Sequence, residues 1–277
     1  MSFDPHAPPE DLSIYYLDGR IDTSCLRCHP HFLGQWEEEE GMSFLFFTRP
    51  SLAEVQEIVA SLSGVTILDV FQMSYAEWHG GQIDSFAVGP FTYRPIWQRD
   101  KGQKGASEIV FDPGVVFGSG WHVTTSCCLE ALDLVFQQES IHSALDLGTG
   151  SGLLALATAR YGCQRVLAVD LNPLAVTTTR ANIRANDLEA RILPCQARAE
   201  DCIGASADLV MANIHYEVLH KLVNASEFYE KRWFIVSGIM RSHYFELLEH
   251  FKKRPVALVK IWDEGQVWYT VLGQILS

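Results

Sequence analysis

Three short segments carry residues whose types and spacing suit a molecule containing a nucleoside. The first is Ala144-Leu145-Asp146-Leu147-Gly148-Thr149-Gly150-Ser151-Gly152, an apolar run that ends in alternating glycines. Glycines at the end of a strand let the backbone approach a ligand closely, and a helix that opens there turns its N-terminus toward it. The spacing separates ligand classes. Glycines at 148, 150 and 152 give G-x-G-x-G, whereas the dinucleotide fingerprint G-x-G-x-x-G needs glycine at 153, where Leu153 stands. The second segment is Arg165-Val166-Leu167-Ala168-Val169-Asp170, whose terminal carboxylate can accept from both hydroxyls of a ribose. The third is Asp208-Leu209-Val210-Met211-Ala212-Asn213-Ile214-His215, which delivers an amide, donor and acceptor at once, to a strand end. Each also suits a plain structural role as a tight turn, a helix approach or a turn former. Placed at successive strand ends of one sheet, the three mark a ligand site.

The elements that must hold those residues are legible from about residue 141, where β-branched runs alternate with helical stretches. Strands are expected at 143–147, 165–169, 190–193, 208–211 and 233–237, and helices at 153–160, 173–185, 217–228 and 242–251. Asn172 and Pro173 are the cap and first turn of the second helix. Two further runs, 255–262 and 267–272, are joined by Asp263-Glu264-Gly265-Gln266, a link so short that it forces antiparallel pairing. The fold class is therefore α/β, a Rossmann-like doubly wound sheet with an antiparallel C-terminal hairpin. Residues 1–85 read as a small α+β domain with strands at 14–17, 32–38, 44–48 and 65–71. A helix at 51–62 is opened by the capping box Ser51-x-x-Glu54. Residues 86–110 read as a linker, with the polar stretch 98–107 its best loop, and residues 111–277 as the ligand-binding domain.

Composition bounds the partners. Hydrophobic residues at 48% and charged residues at 20% describe an ordinary globular chain. A net charge of −13 repels phosphate backbones and favours a basic protein partner, with no nucleic acid expected. No apolar run reaches the length of a membrane helix, and the first twenty residues lack the basic-then-apolar order of a secretion signal, so a cytoplasmic protein is expected. Seven scattered cysteines imply free thiols. Cys25-Leu26-Arg27-Cys28-His29-Pro30-His31 has the C-x-x-C-H form of haem attachment and four possible zinc ligands. Haem attachment requires export, and four ligands within seven residues leave little chain to form a tetrahedron, so no metal is expected.

Beyond these readings, the chain resembles a known family. Leu145 to Gly152 followed by Asp170 looks like the cofactor motif of class I S-adenosylmethionine-dependent methyltransferases. Upstream, Asp112-Pro113-Gly114-Val115-Val116-Phe117-Gly118-Ser119-Gly120-Trp121-His122-Val123-Thr124-Thr125 is similar to the D-P-G-x-x-F-G-T-G-x-H-x-T-T signature of the PrmA family, which methylates the eleventh protein of the large ribosomal subunit. Gly89 to Trp97, Asn213-Ile214 and Ser237-Gly238-Ile239 extend the likeness over about 86–274. The resemblance implies S-adenosylmethionine as cofactor and a small N-terminal ferredoxin-like module that presents the substrate protein. It also implies that Gly148 and Gly150 lie against the methionine part with Asp146 beneath them, and that Asp170 holds the ribose. Phe117, Thr124 and Thr125 would close over the cofactor, and Asn213 would touch the cofactor and border the acceptor amine.

The sequence departs from that pattern at Ser119, Trp121, Val123 and His215, and the stretch between Leu17 and Phe32 is too poor in helical signal for a full first helix. The expected activity is methyl transfer to lysine or α-amino groups of a protein. Asn213 orients the nitrogen, and His215 or His122 is placed to take its proton. A cofactor-binding scaffold without transfer activity, or a nucleotide-dependent oxidoreductase, are the alternatives.

Overall fold

The computed structural model describes residues 8–26, 28–37, 41–98, 105, 107–118, 120 and 122–276. The chain forms two compact units, Met1–Ile83 and Asp84–Ser277.

In the first unit the strands are β1 (Asp11–Asp18), β2 (Phe32–Glu37) and β3 (Met42–Phe47), followed by α1 (Leu52–Ala60), β4 (Thr66–Ser74) and the short α2 (Tyr75–Trp78). The four strands form an antiparallel sheet in the order β2-β3-β1-β4. Alternate residues Tyr15, Leu17, Leu45 and Phe47 bury against Val55 of α1, as the two-residue repeat of a one-sided sheet requires. Between β1 and β2 stands one turn of 3₁₀ helix, Ser24–Leu26, in place of a helix. The capping box expected at Ser51 is not made. Ser51 is the N-cap of α1, but its side chain caps nothing, and its backbone N–H donates to the Tyr15 hydroxyl at 2.7 Å. Burial of that N–H against Tyr15 has replaced the local cap. A capping box does form at Ser74 and Glu77, which open α2. Of the acidic run 37–40, residues Glu38, Glu39 and Glu40 lie outside the described residues.

The second unit opens with β5 (Phe86–Val88), β6 (Phe91–Pro95) and β7 (Glu108–Phe111), a three-stranded sheet in a stretch expected as linker. The apolar alternation of Phe91, Tyr93 and Pro95 buries one side of β6, which the Gly-Pro turn before it obscures in the sequence. Next come α3 (Val123–Gln138), β8 (Ser143–Leu147), α4 (Leu153–Arg160), β9 (Arg165–Asp170), α5 (Pro173–Ala185), β10 (Ile192–Gln196) and α6 (Ala199–Cys202). The chain then continues through β11 (Leu209–Asn213), α7 (Tyr216–Asn224), β12 (Trp233–Met240), α8 (Arg241–Phe251), β13 (Val256–Glu264) and β14 (Trp268–Ile275). The sheet order is β10-β9-β8-β11-β12-β14-β13, with the first five strands parallel and β14 antiparallel to both neighbours. The β13–β14 link is the three residues Gly265, Gln266 and Val267; the first two have positive φ, and Val267 N–H donates to the Glu264 carbonyl at 3.1 Å.

Leu145, Leu147, Val210 and Val236 face a core closed by Leu219 and Leu222 of α7 and Leu247 of α8. Asp146, one residue out of phase, faces the side covered by α4 and accepts the Ala155 N–H. The strand order reverses between β8 and β11, and the crevice above a reversal is where open α/β sheets bind ligands.

Candidate cofactor and acceptor site

The glycine turn after β8 is tied down through its own backbone. The N–H groups of Gly148 and Thr149 both donate to the Val169 carbonyl, at 2.8 and 2.9 Å. Gly150 N–H donates to Asp170 Oδ2 at 2.9 Å, Ser151 N–H to the Phe117 carbonyl at 2.9 Å, and Gly152 N–H to the Thr149 carbonyl at 2.8 Å. All five donors are therefore spent inside the protein. A loop that cradles a pyrophosphate presents such N–H groups outward, so this turn is unsuited to a dinucleotide.

Two of the glycines are dictated by contact as well as by positive φ. A side chain at Gly150, φ +56, would meet the Phe117 carbonyl oxygen, and one at Gly148, φ +77, would meet Ile214 Cδ1 at 2.7 Å. The turn thus sits between the segment before α3 and the segment after β11.

Two carboxylates lie under and beside it. Asp146 is 1% exposed, and its Oδ2 accepts from Thr149 Oγ1 at 2.6 Å and from Ala155 N–H at 3.1 Å. Burial pushes its pKa up to about 6 against the pull of those hydrogen bonds, and the charge of Asp170 adds to the rise. Asp170 gives one oxygen to Gly150 N–H and the other to Asn172 N–H at 2.9 Å. Its pKa is also raised, chiefly by burial. The Leu171 N–H also reaches this carboxylate, so of its roughly four lone-pair sites about one is left to accept a hydroxyl.

The acceptor side is built from side chains. Asn213 ends β11 beside Ser237 of β12, and its Nδ2 donates to Thr124 Oγ1 at 3.2 Å and to Thr125 Oγ1 at 3.4 Å. Both threonines are buried in the first turn of α3. Thr124 Oγ1 lies 2.7 Å from Nδ1 of His122, the N-cap of α3, and that same nitrogen accepts the Thr124 N–H. A nitrogen that accepts carries no proton, so the ring's proton is assigned to Nε2 and the Thr124 hydroxyl donates to Nδ1. Burial lowers the His122 pKa and favours that neutral form. With Nδ2 committed, Oδ1 of Asn213 is the atom left to meet an incoming donor. Gly238, φ +77, leaves it room, since a side chain there would crowd the Ile214 carbonyl at 2.7 Å and Asn213 Oδ1 at 3.4 Å.

Phe117 is 54% exposed, with its ring 5.3 Å from that of His122. His215 is exposed at the N-cap position of α7, and its side chain makes no cap hydrogen bond. The structure thus gathers Phe117, Thr124, Thr125, Asp146, Gly148, Gly150, Asp170 and Asn213 around the crevice. His215 stands two residues past Asn213 and outside its hydrogen-bonded chain. Ser119 and Trp121 lie outside the described residues.

Sequence reasoning missed the residues that brace this arrangement. Asn182 pairs both backbone groups of Asp112, each at 2.8 Å, and Asn186 does the same for Val110. The two amides, one helical turn apart on α5, replace a neighbouring strand for the chain that leads into the Phe117 segment. Asn182 also holds the Ser151 carbonyl, and Thr179 the Gly150 carbonyl, both at 2.8 Å. Their signal was present as Thr179, Asn182 and Asn186 on the same helical face as Ala175, Val176 and Ile183. All seven cysteines are unbridged.

A seven-stranded sheet with this strand order, a site at its reversal and an antiparallel terminal pair define a class I methyltransferase fold. A solved structure of the same architecture, the ribosomal protein L11 methylase of Lactobacillus delbrueckii subsp. bulgaricus, superposes with a TM-score of 0.60 over 70% of this chain and 100% of that one, at 22% identity. The model of the ribosomal protein L11 methyltransferase (PrmA) family matches residues 50–275, and the chain belongs to that family. Among curated relatives named ribosomal protein L11 methyltransferase, the protein of Alkaliphilus oremlandii is 33% identical over 184 residues, 66% of this chain. The match spans 58% of that relative's length. The Staphylococcus saprophyticus protein is 30% identical over 239 residues, covering 80% of this chain and 75% of the relative.

Proposed function

We propose that this chain transfers methyl groups from S-adenosylmethionine to amino groups of a ribosomal protein, the L11 after which its relatives are named. One observation carries the cofactor assignment. The crevice is bordered by Asp170, is underlain by the buried Asp146, and has a glycine turn with every N–H already bonded. That set favours a cationic nucleoside and disfavours an anionic dinucleotide, so the oxidoreductase alternative loses its support. Bound there, the cofactor would supply an activated methyl group on a positively charged sulfur.

The protein's part is alignment and dryness. Asp170 takes a ribose hydroxyl, the backbone at Gly148 and Gly150 allows close approach, and Phe117 covers the opening against water. Asn213 Oδ1 accepts an N–H of the incoming amine and turns the nitrogen's lone pair toward the methyl group, a gain of proximity and orientation. A free lysine is neutral about once in 2,500 molecules at pH 7, roughly 4.6 kcal/mol uphill, so deprotonation is the costly step. The Nδ1 of His122 is occupied by the cap of α3, which leaves the exposed His215 or water to receive the proton. The small unit, with most of the chain's net negative charge, selects the basic partner.

The test combines labelled S-adenosylmethionine with purified protein L11 and, separately, a cell lysate. Label on lysine or α-amino groups of L11 is the expected result. Label confined to small molecules, or tighter binding of NADH than of S-adenosylhomocysteine, would sink the assignment.

A further inference from the structure

The sheet of the small unit ends on β4, whose second edge has no neighbouring strand among the described residues. At nine residues it is about 30 Å long. Leu68, Val70 and Phe71 are 49, 36 and 39% exposed, and Asp69 is the strand's one charge. Exposed edges are ordinarily blunted by lysine, proline or a bulge, because a row of free backbone groups recruits another strand. β4 has neither lysine nor proline. Its one irregularity falls between the pairs Tyr16–Asp69 and Leu17–Ile67, which leaves the stretch from Asp69 to Ser74 in continuous register with β1.

The backbone there is poised outward. Val70 N–H donates to Oδ1 of its own neighbour Asp69 at 2.8 Å, so it points away from β1. By the two-residue repeat of a strand, the backbone groups of Gln72 point the same way. Val70 lies opposite Tyr15 and Phe71 opposite Ile14, so apolar side chains flank the edge on both faces of the sheet.

Charge selects the occupant. Residues 1–83 hold three arginines and no lysine against thirteen aspartates and glutamates, a net −10 out of the chain's −13. Two such units repel each other, which disfavours a second copy of this chain, and a cationic segment is drawn in. We propose that the free edge of β4 takes up a basic, extended segment of the methyl-accepting protein as an added strand, an inference that rests on the methyltransferase reading above. The incoming carbonyl replaces Asp69 as the partner of Val70 N–H, and the released carboxylate pairs with a lysine or arginine of the segment.

Two variants of the full chain test this. Val70→Pro removes the outward N–H at an edge position where a strand tolerates proline, and Asp69→Lys reverses the charge without touching the ladder to β1. Both are expected to raise KM for protein L11 at least ten-fold, with kcat within two-fold and S-adenosylhomocysteine affinity unchanged. A decapeptide of alternating lysine and valine is expected to slow amide exchange of Val70 and Gln72 at least ten-fold, and its glutamate–valine counterpart is not. Unchanged KM in both variants, or no protection by the lysine peptide, would overturn the proposal. So would a dimer of this chain that Val70→Pro dissolves. Should the wild type transfer no methyl to L11 while the lysine peptide still protects Val70, the acceptor assignment fails and the added strand stands.

Discussion

The crevice has two sides held by opposite means. Above β8 and β9 the glycine turn is fixed by backbone hydrogen bonds to Val169, Phe117 and Asp170, over the buried Asp146. Above β11 the geometry depends on a relay of side chains, Asn213 to Thr124 to His122, drawn from segments some ninety residues apart. The first side tolerates no added volume and has no freedom to adapt. The second is adjustable by substitution, because each link is one hydrogen bond worth about 1 kcal/mol. On the proposed function, a rigid cofactor floor beside a retunable acceptor wall lets one fold keep its chemistry while its substrates diverge.

The contrast breaks most sharply at Gly150. Alanine there adopts a left-handed conformation at about 1 kcal/mol and also drives its Cβ into the Phe117 carbonyl, which is backbone and cannot swing aside. Gly150→Ala is expected to weaken S-adenosylhomocysteine at least 100-fold by calorimetry. Near-normal affinity in the folded variant would mean that the turn is softer than its hydrogen bonds imply.

Asp146 carries the next effect, on stability. Its folded pKa, about 6, lies above the ordinary 3.8, so the folded protein binds the proton more tightly than the unfolded chain does. The stabilisation from that proton is complete below about pH 4 and is lost as the pH rises through 6. About two pKa units correspond to roughly 3 kcal/mol as an upper bound. Urea unfolding between pH 4 and 7 should show this fall superposed on other titrations, and Asp146→Asn should reduce it. Both accepted hydrogen bonds fall on a single oxygen, which the amide retains. An identical pH dependence in wild type and variant would remove Asp146 as its source.

Asp170→Ala comes third, at about 1.5 to 3 kcal/mol of S-adenosylhomocysteine affinity, from the loss of charge-assisted hydrogen bonds. Because Asp170 also holds Gly150 and Asn172, part of that loss comes through the turn itself. Unchanged affinity in a folded variant would place the ribose elsewhere.

The same division explains what could be read in the residues beforehand. Glycine spacing, Asp170 and the alternation of strands and helices are local signals, and they locate the sheet, its terminal hairpin and the glycine turn at the crevice. The strands Phe86–Val88 and Phe91–Pro95 were hidden by their shortness and by the Gly89-Pro90 turn between them. The bracing pairs Asn182–Asp112 and Asn186–Val110 span 70 and 76 residues, and no local pattern announces a partner at that distance. Ser51 illustrates the converse, since its capping box was a sound local signal overridden by a tertiary hydrogen bond to Tyr15.

On the acceptor side Asn213→Ala is expected to lower kcat for the protein substrate about ten- to thirty-fold and to change S-adenosylhomocysteine affinity less than three-fold. The split follows from an amide that touches the amine and not the cofactor. Equal losses in both would move Asn213 onto the cofactor side.

The smallest effect belongs to His215. A general base contributes a factor of about 10² to 10⁴ when it is held within hydrogen-bond reach of the proton it removes. His215 is exposed, its ring caps nothing, and it stands outside the chain that fixes Asn213. Such an imidazole competes with water for a proton already leaving a crowded cationic centre, so its removal costs little. His215→Ala is expected to reduce kcat less than about five-fold at pH 7, and a dilute imidazole buffer should restore part of the loss. A fall of 100-fold that imidazole does not restore would reverse the argument. The residue would then be ordered against the amine only when the protein substrate is bound, and the acceptor wall would be more rigid in the complex than the free chain shows.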